Sequence, residues 1–244
     1  TCHVCAHAED SIRAIFEVSE GTYGSPRVHA ALSQAGWPVG RKRVARLMRE
    51  SGLTARSARI YRRTPGTRTF FAAIPNRVLD VHTTAPNQIW VGDVTYVKSA
   101  GQWRYLAVVM DRHSRRILGW SLAPRRDLSL TLASLNRALL RRRPAPGLIV
   151  HADRGVECSA YAFRTRLAAL GITQSMKRPR EIGDNAFIES FFHTLKADAI
   201  HGHVFDNDHA LRMAISHYTR RYNRTRMHSA LDYRSPIDYE RLAA

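Results

Sequence analysis

Along the first fifty residues the apolar positions recur at helical intervals. Ile12, Ile15 and Phe16 space one face within residues 8 to 19, and "YGSPRVHAALSQAGWP" sets Val28, Ala31 and Leu32 on another, between a start signal and Gly36-Pro38. Here Ser25 is expected as N-cap, with Pro26 at the first helical position. A third run, "VGRKRVARLMRESGL", turns Val44, Leu47 and Met48 inward and leaves Arg41, Lys42, Arg43, Arg46 and Arg49 outward. Three short helices with a basic third one, reached through a Gly-Pro turn, predict a helix-turn-helix module whose third helix contacts DNA. A small helical bundle with a solvated charged face is the plainer alternative.

From residue 62 to 86 the periodicity fades among Pro65, Gly66, Pro75 and Pro86, which predicts a linker. The texture then changes. "NQIWVGDVTYVK", "WRYLAVVMD" and "RILGWSLA" are β-rich runs separated by short polar turns, the pattern of an antiparallel meander. "DLSLTLASLNRALLRRR" follows as a helix, "GLIVHA" as a buried strand, "SAYAFRTRLAALG" as a helix, "ITQS" as a strand and "DNAFIESFFHTLKADA" as a helix. That order predicts an α/β chain: a ribonuclease H-like mixed sheet flanked by helices, preceded by a small all-α helix-turn-helix module. The expected division is residues 1–61 for the DNA-binding module, 62–85 for the linker, 86–200 for the catalytic core and 201–244 for a C-terminal helical basic tail of that core.

Charge narrows the function. Thirty-eight Lys and Arg against 20 Asp and Glu leave +18 over 244 residues, a self-repelling surplus that a polyanion relieves. Nucleic acid is the favoured partner, with an anionic membrane surface as the other taker of such charge. No apolar run approaches the roughly 18 residues of a membrane span, and no charged start and apolar middle of a signal peptide is present, so the expectation is a cytoplasmic protein without a membrane partner. Cys2, Cys5 and Cys158 are too few for a disulfide framework. Cys2 and Cys5, with His3 and His7, form half of a zinc knuckle lacking a second pair at finger spacing, and metal binding there is not expected. The chain starts on Thr1 rather than Met, which raises the expectation of residues upstream.

Three acids stand where carboxylates are costly. Asp93 interrupts a strand between Val91 and Val94, against both β-propensity and burial. Asp153 follows the apolar run "GLIVHA" in "HADRG", where a lone Asp is ordinarily a turn former. Glu189 shares a helical stripe with Asn185, His193 and Lys196, while Ile188, Phe191 and Leu195 turn toward the sheet. This stripe could be a solvated face or could overhang the strands that carry Asp93 and Asp153. Carboxylates from two strands and a later helix can converge in this fold, and such oxygen ligands suit magnesium and phosphodiester chemistry. Asp111 and Asp184 are read as a turn residue and a helix cap.

"WVGDVTYV", "YLAVVMDRHSRRILGW", "HADRG" and "DNAFIESFFHTLK", with 35 residues between Asp153 and Glu189, resemble the integrase-type DDE core of the IS-three family of bacterial insertion-sequence transposases. "YNRTRMHSALDYRSPIDY" is similar to that family's closing motif, and "YGSPRVHAAL" through "RVARLMRESGL" to its helix-turn-helix segment, so the resemblance spans nearly the whole chain. It departs at "KRPREIG", where the family carries a Ser-Arg-Lys-Gly pattern and a Cys-Trp pair, and at Cys158, where an aromatic is common.

The resemblance implies Asp93, Asp153 and Glu189 as the catalytic and metal-binding triad. It further implies two magnesium ions with manganese as substitute, double-stranded DNA at terminal inverted repeats and in the target, and cleavage followed by transfer of a 3′-hydroxyl. A homo-oligomer on DNA, a fusion with an upstream reading-frame product and a bacterial, nucleoid-associated setting belong to the same expectation. DNA contacts are expected from Arg41, Lys42, Arg43 and Arg46, and from Asn185, His193 and Lys196 on the Glu189 stripe. A decayed element that keeps only DNA binding, as a regulator, is the alternative function.

Overall fold

The computed structural model describes residues 3–55, 74–153, 155–178 and 184–242. Cys2, residues 62–73 of the expected linker, Pro179 and Gly183 lie outside them, as do the side chains of His3, Cys5 and His7.

The N-terminal helices are α1 (His3–Val18), α2 (Ser25–Gln34) and α3 (Arg41–Glu50). Ile12, Val28, Leu32, Val44, Leu47 and Met48 close a small core between them, as the spacing predicts. The start of α2 shifts by one residue: Gly24, in extended conformation, is the N-cap and the Ser25 hydroxyl makes no cap bond. Pro26 lacks an amide hydrogen and sits in the first turn, where that donor is unneeded.

Five strands form one sheet in the order β3-β2-β1-β4-β5: β1 (Ile89–Ser99), β2 (Gln102–Asp111), β3 (Ile117–Ala123), β4 (Ile149–Ala152) and β5 (Thr173–Met176). β1, β2 and β3 pair antiparallel, whereas β1–β4 and β4–β5 are parallel. The crossover to β4 is α4 (Leu128–Arg142), capped by the Asp127 side chain on the Leu130 amide. A one-turn α5 (Val156–Ser159) and α6 (Tyr161–Ala169) lead to β5, and α7 (Ala186–Leu195) runs into a π-helical turn, Lys196–Ile200. α5 has no period from which to read it.

Each sheet face carries its own core. Trp90, Val109, Leu118, Leu135, Phe163 and Leu167 pack under α4 and α6. On the other face Ile89, Val91, Val97 and Leu106 meet Ile188, Phe191 and Leu195 of α7. There Leu211, Ile215, Tyr218 and Tyr222 of α8 (Asp208–Arg224) complete the layer. The C-terminal segment is therefore a structural wall of the core. It ends in α9 (Pro236–Leu242), whose Glu240 accepts from Ser114 (2.6 Å) and Arg116 (2.6 Å) and pairs with Arg142.

The helical module docks on that wall. The Met227 amide donates to Tyr23 Oη (2.8 Å), Arg27 Nε to the Met227 carbonyl (2.9 Å) and Arg221 Nη1 to the Ser19 carbonyl (2.8 Å).

Asp111 and Asp184 are both structural. Asp111, fully buried, accepts from the amides of Asn87, His113 and Ser114 and pins the β2–β3 turn. Asp184 is not the helix cap expected of it; Asn185 precedes α7, and Asp184 instead takes the Arg178 guanidinium (3.0 Å), the Arg178 amide (2.9 Å) and the Asn76 amide group (2.8 Å). A guanidinium within reach outcompetes a cap, because the charge-assisted pair is the stronger bond.

Candidate active site

Unequal strand lengths create the site. The β1–β4 ladder ends at Gly92–Ala152, while β1 continues to Ser99, so Asp93 lies on the first residue of β1 past the ladder and Asp153 on the first residue after β4. Parallel pairing brings these two backbones side by side. Glu189 enters from above, on the first turn of α7, because the helix must point Ile188, Phe191 and Leu195 into the core.

Electrostatics reports the convergence. The Asp93 carboxyl is pushed up to about 7, first by burial and next by the charge of Asp153, with Glu189 adding in the same direction. The Val94 amide, which donates to Asp93 Oδ1 at 2.7 Å, and Arg126 oppose that rise. Two neighbouring negative charges make a third unfavourable. Among the described residues no three His, Cys, Asp or Glu side chains stand as a ready ligand shell. Glu189 Oε1 lies 3.5 Å from Lys177 Nζ.

Cations border the acids. Arg126 Nε pairs with the buried Glu157 at 2.7 Å. Burial works against the Arg126 charge, but Glu157, Asp93 and Asp153 outweigh it and its pKa rises. Gly155, the glycine of "HADRG", leaves room for this pair: a Cβ there would lie 2.6 Å from Glu157 Oε1 and 3.0 Å from Arg126 Nη2. Lys196 opens the π-helical turn, its ammonium 4.6 Å over the Tyr96 ring; burial lowers its pKa and the Asp93 charge resists. Beneath the acids, buried His151 meets Ser175 Oγ through Nδ1 at 2.9 Å, and burial pushes its pKa down to about 4.

The other expected residues divide. His193 is exposed on α7. Asn185 is turned inward, 1% exposed, with its Nδ2 3.5 Å from the Gly92 carbonyl, so it braces β1 beside Asp93 instead of facing outward to DNA. A side chain just before α7 lies against the sheet and cannot share the outward stripe of the helix proper. Arg41, Lys42, Arg43 and Arg46 are all exposed on α3, Arg46 lying 3.7 Å from Glu50. Arg126, Glu157 and Lys177 escape a reading of the sequence alone. For Lys177 the available signal is a basic residue straight after a strand; for the other two, 31 residues apart in sequence, there is none.

Comparison with known proteins agrees with the fold. The HTH-like domain family matches residues 6–61, and Integrase core domain families match residues 83–181 and 170–236. The chain is 36% identical over 234 residues to the transposase for insertion sequence element IS904 of Lactococcus lactis, covering 95% of this chain and 92% of that one. It is also 36% identical over 238 residues to transposase InsF for insertion sequence IS3A of Escherichia coli, covering 96% and 82% respectively. Among solved structures, the simian T-cell lymphotropic virus intasome in complex with a PP2A regulatory subunit superimposes with a TM-score of 0.54 at 16% identity, over 86% of this chain and 69% of that chain. The HTLV-2 integrase catalytic core domain in complex with magnesium gives 0.50 at 18%, over 64% and 97%. These structural likenesses establish the ribonuclease H-like, integrase-type fold.

Proposed function

The chain belongs to the IS-three family of insertion-sequence transposases, DNA-cutting and DNA-joining enzymes, and on that footing we propose that Asp93, Asp153 and Glu189 carry out both reactions by metal-dependent transesterification. The observation behind this is the side-by-side exit of Asp93 and Asp153 from the parallel β1–β4 ladder beneath the first turn of α7, and the raised Asp93 carboxyl, which feels both other acids, accords with it. Three hard oxygen donors with mutually repelling charge fit a divalent cation, and magnesium, with which the HTLV-2 integrase core is in complex, is the ion such donors favour. Bound there, a pair of such ions would activate the attacking oxygen and stabilise the leaving one.

Chemically, the first reaction forms a P–O bond from water and breaks the P–O3′ bond at the element's end, which frees a 3′-hydroxyl. In the second, that hydroxyl forms the new bond to a target phosphorus and the target's own 3′-oxygen leaves. This chain's part is placement. Asn185 holds β1 in position at Gly92. Lys177 balances Glu189 before the cation arrives. Arg126 and Lys196 line the approach with positive charge for the phosphodiester. Exposed Arg41, Lys42, Arg43 and Arg46 hold duplex DNA through α3, and His193 lies on the outer face of α7 toward the same substrate. Terminal inverted repeats as the recognised ends, assembly as a homo-oligomer and fusion to an upstream reading-frame product belong to the same proposal.

Cleavage of a labelled terminal-repeat duplex tests it. Asp93→Asn, Asp153→Asn and Glu189→Gln each abolish magnesium-dependent cleavage and leave gel-shift affinity within a few-fold of wild type. Cleavage retained by any one of the three would overturn the assignment.

A further inference from the structure

A second basic feature lies away from the acids. A cavity of about 110 Å³ opens where the helical module, α7 and the C-terminal segment meet, lined by Arg27, Arg115, Ser190, Arg226 and His228 among others. We propose that it is a phosphate-binding site, and that its occupant is a backbone phosphate of the DNA held by the helix-turn-helix module. The source as DNA rests on the transposase reading above; the phosphate chemistry does not.

Like charges are gathered here at a cost. Arg27 comes from α2, Arg115 from the β2–β3 turn and Arg226 from the segment after α8. Among the described residues one carboxylate, Asp198, answers them, and it is bound to Arg226 at the buried end of the cluster. Three guanidiniums against one carboxylate leave an excess of two positive charges. Burial and then the neighbouring Arg226 lower the Arg27 pKa, whereas at Arg226 burial is outweighed by Tyr218 and Asp198 and the pKa rises, so the repulsion falls on Arg27.

Each cation is fixed in a way that leaves donors over. Arg27 spends Nε on the Met227 carbonyl (2.9 Å), and the Arg115 guanidinium lies over the Phe187 ring, 5.1 Å from its centroid. Arg226, 3% exposed, has an Nε without a hydrogen-bond partner among the described residues, and the same holds for Nε2 of His228, 8% exposed. Buried donors are normally satisfied, so the unpartnered Arg226 Nε on this cavity calls for an acceptor; the His228 ring, held neutral by burial and the neighbouring arginines, adds shape to the wall and no charge. The acceptor must be anionic, compact and able to accept from several directions at once. A phosphate meets all three, and guanidinium forks match its oxygens. Water satisfies the donors but leaves the charge excess in place.

Position selects DNA over a free anion. Exposed Ser190, Ser229 and Ala230 form the rim, so the cavity opens to solvent. Ser190 directly follows Glu189 on α7, and Arg27 sits on the helix before α3. A backbone phosphate seated here would tie duplex held by α3 to the helix that carries Glu189.

The full chain, metal-free, is tested in two arms. In the first, inorganic phosphate against chloride at equal ionic strength raises the melting temperature of wild type; Arg115→Met, which keeps the stem on Phe187, loses that rise, and the charge-matched Arg224→Met on exposed α8 keeps it. In the second, terminal-repeat duplexes each carrying one neutral methylphosphonate are titrated. Wild type and Arg224→Met lose affinity about 5- to 10-fold at one backbone position, and Arg115→Met shows no loss there and a salt slope shallower by about 0.9. Absence of the phosphate-specific rise in wild type overturns the site. A rise in the first arm without a sensitive position in the second makes it a free-phosphate site and overturns the DNA source. Neither arm involves cleavage, so failure of the transesterification assignment would appear in the cleavage assay and leave these results standing.

Discussion

Replacing Asp93 by asparagine is expected to strengthen the metal-free fold while abolishing its chemistry. The wild-type carboxyl moves from an ordinary 3.8 to about 7, raised by burial and then by Asp153. Between those values the folded chain keeps a proton that the unfolded chain has released, so stability falls as pH rises and the loss is complete above pH 7. About three pH units at roughly 1.4 kcal/mol each set a ceiling near 4 kcal/mol. Solvent reaches the site edge and screens the charges, so the gain expected at pH 8 is about 1–2 kcal/mol. Urea unfolding in EDTA, followed by tryptophan fluorescence at pH 5, 6.5 and 8, reads it directly. The two proteins should lie closest at pH 5, where about a third of the effect is already present, and separate further in favour of Asp93→Asn as pH rises, and added magnesium should stabilise wild type more than the variant. A variant no more stable than wild type at pH 8 in EDTA would show that Asp93 carries no uncompensated charge, and the metal-site argument built on it would fall.

Three further outcomes are expected. Gly119→Ala places a Cβ 2.3 Å from the Ser134 carbonyl oxygen and 2.8 Å from the Ala138 amide nitrogen of α4, backbone that cannot swing aside; a loss of about 3 kcal/mol or more in denaturant unfolding is expected, and near-native stability would contradict the close β3–α4 approach. Lys196→Ala should slow strand transfer on a pre-nicked end far more than it weakens binding, with partial rescue by Lys196→Arg; an unchanged single-turnover rate would confine Lys196 to its contact with Tyr96. Arg46→Ala should flatten the salt dependence of DNA affinity by about 0.9 per lost phosphate contact, or relax sequence preference if the side chain reads a base; if neither changes, the exposed face of α3 only keeps the module soluble.

The five strands and helices α4, α6 and α7 were legible because each announces itself locally. "WVGDVTY" is a strand from its β-rich run, and the acid inside it is conspicuous for the same reason. Ile188, Phe191 and Leu195 were placed on the inner face of α7 by spacing alone, and all three are buried. Among the acids, Asp93 alone stands out as an expensive exception to a clear pattern; Asp153 by itself reads as a turn former and Glu189 sits on a stripe that reads equally as solvated, so both stand out only through the resemblance. Asp184 misled because a cap and an ion-pair partner look alike until Arg178 and Asn76 are known to be adjacent.

What the pattern hid is what depends on distant partners. The C-terminal segment read as a basic tail because Arg220, Arg221 and Arg224 dominate its composition, yet Leu211, Ile215, Tyr218 and Tyr222 recur on the opposite side of the same helix and close the sheet. Mean charge conceals a stripe, since one helix can present both. Asn185 follows the same logic in reverse: helical spacing set it in line with Glu189, but it precedes the helix, and the bond to Gly92 turns it inward. Glu157 carries no signal in the sequence; Arg126, brought alongside by the fold, makes it a buried partner. The arginine cavity goes furthest in this direction. Arg27, Arg115 and Arg226 are separated by 88 and 111 positions in sequence. Their grouping follows only after α2 docks on the C-terminal wall, and the excess charge there arises from assembly of the fold, with no counterpart in any local run of sequence.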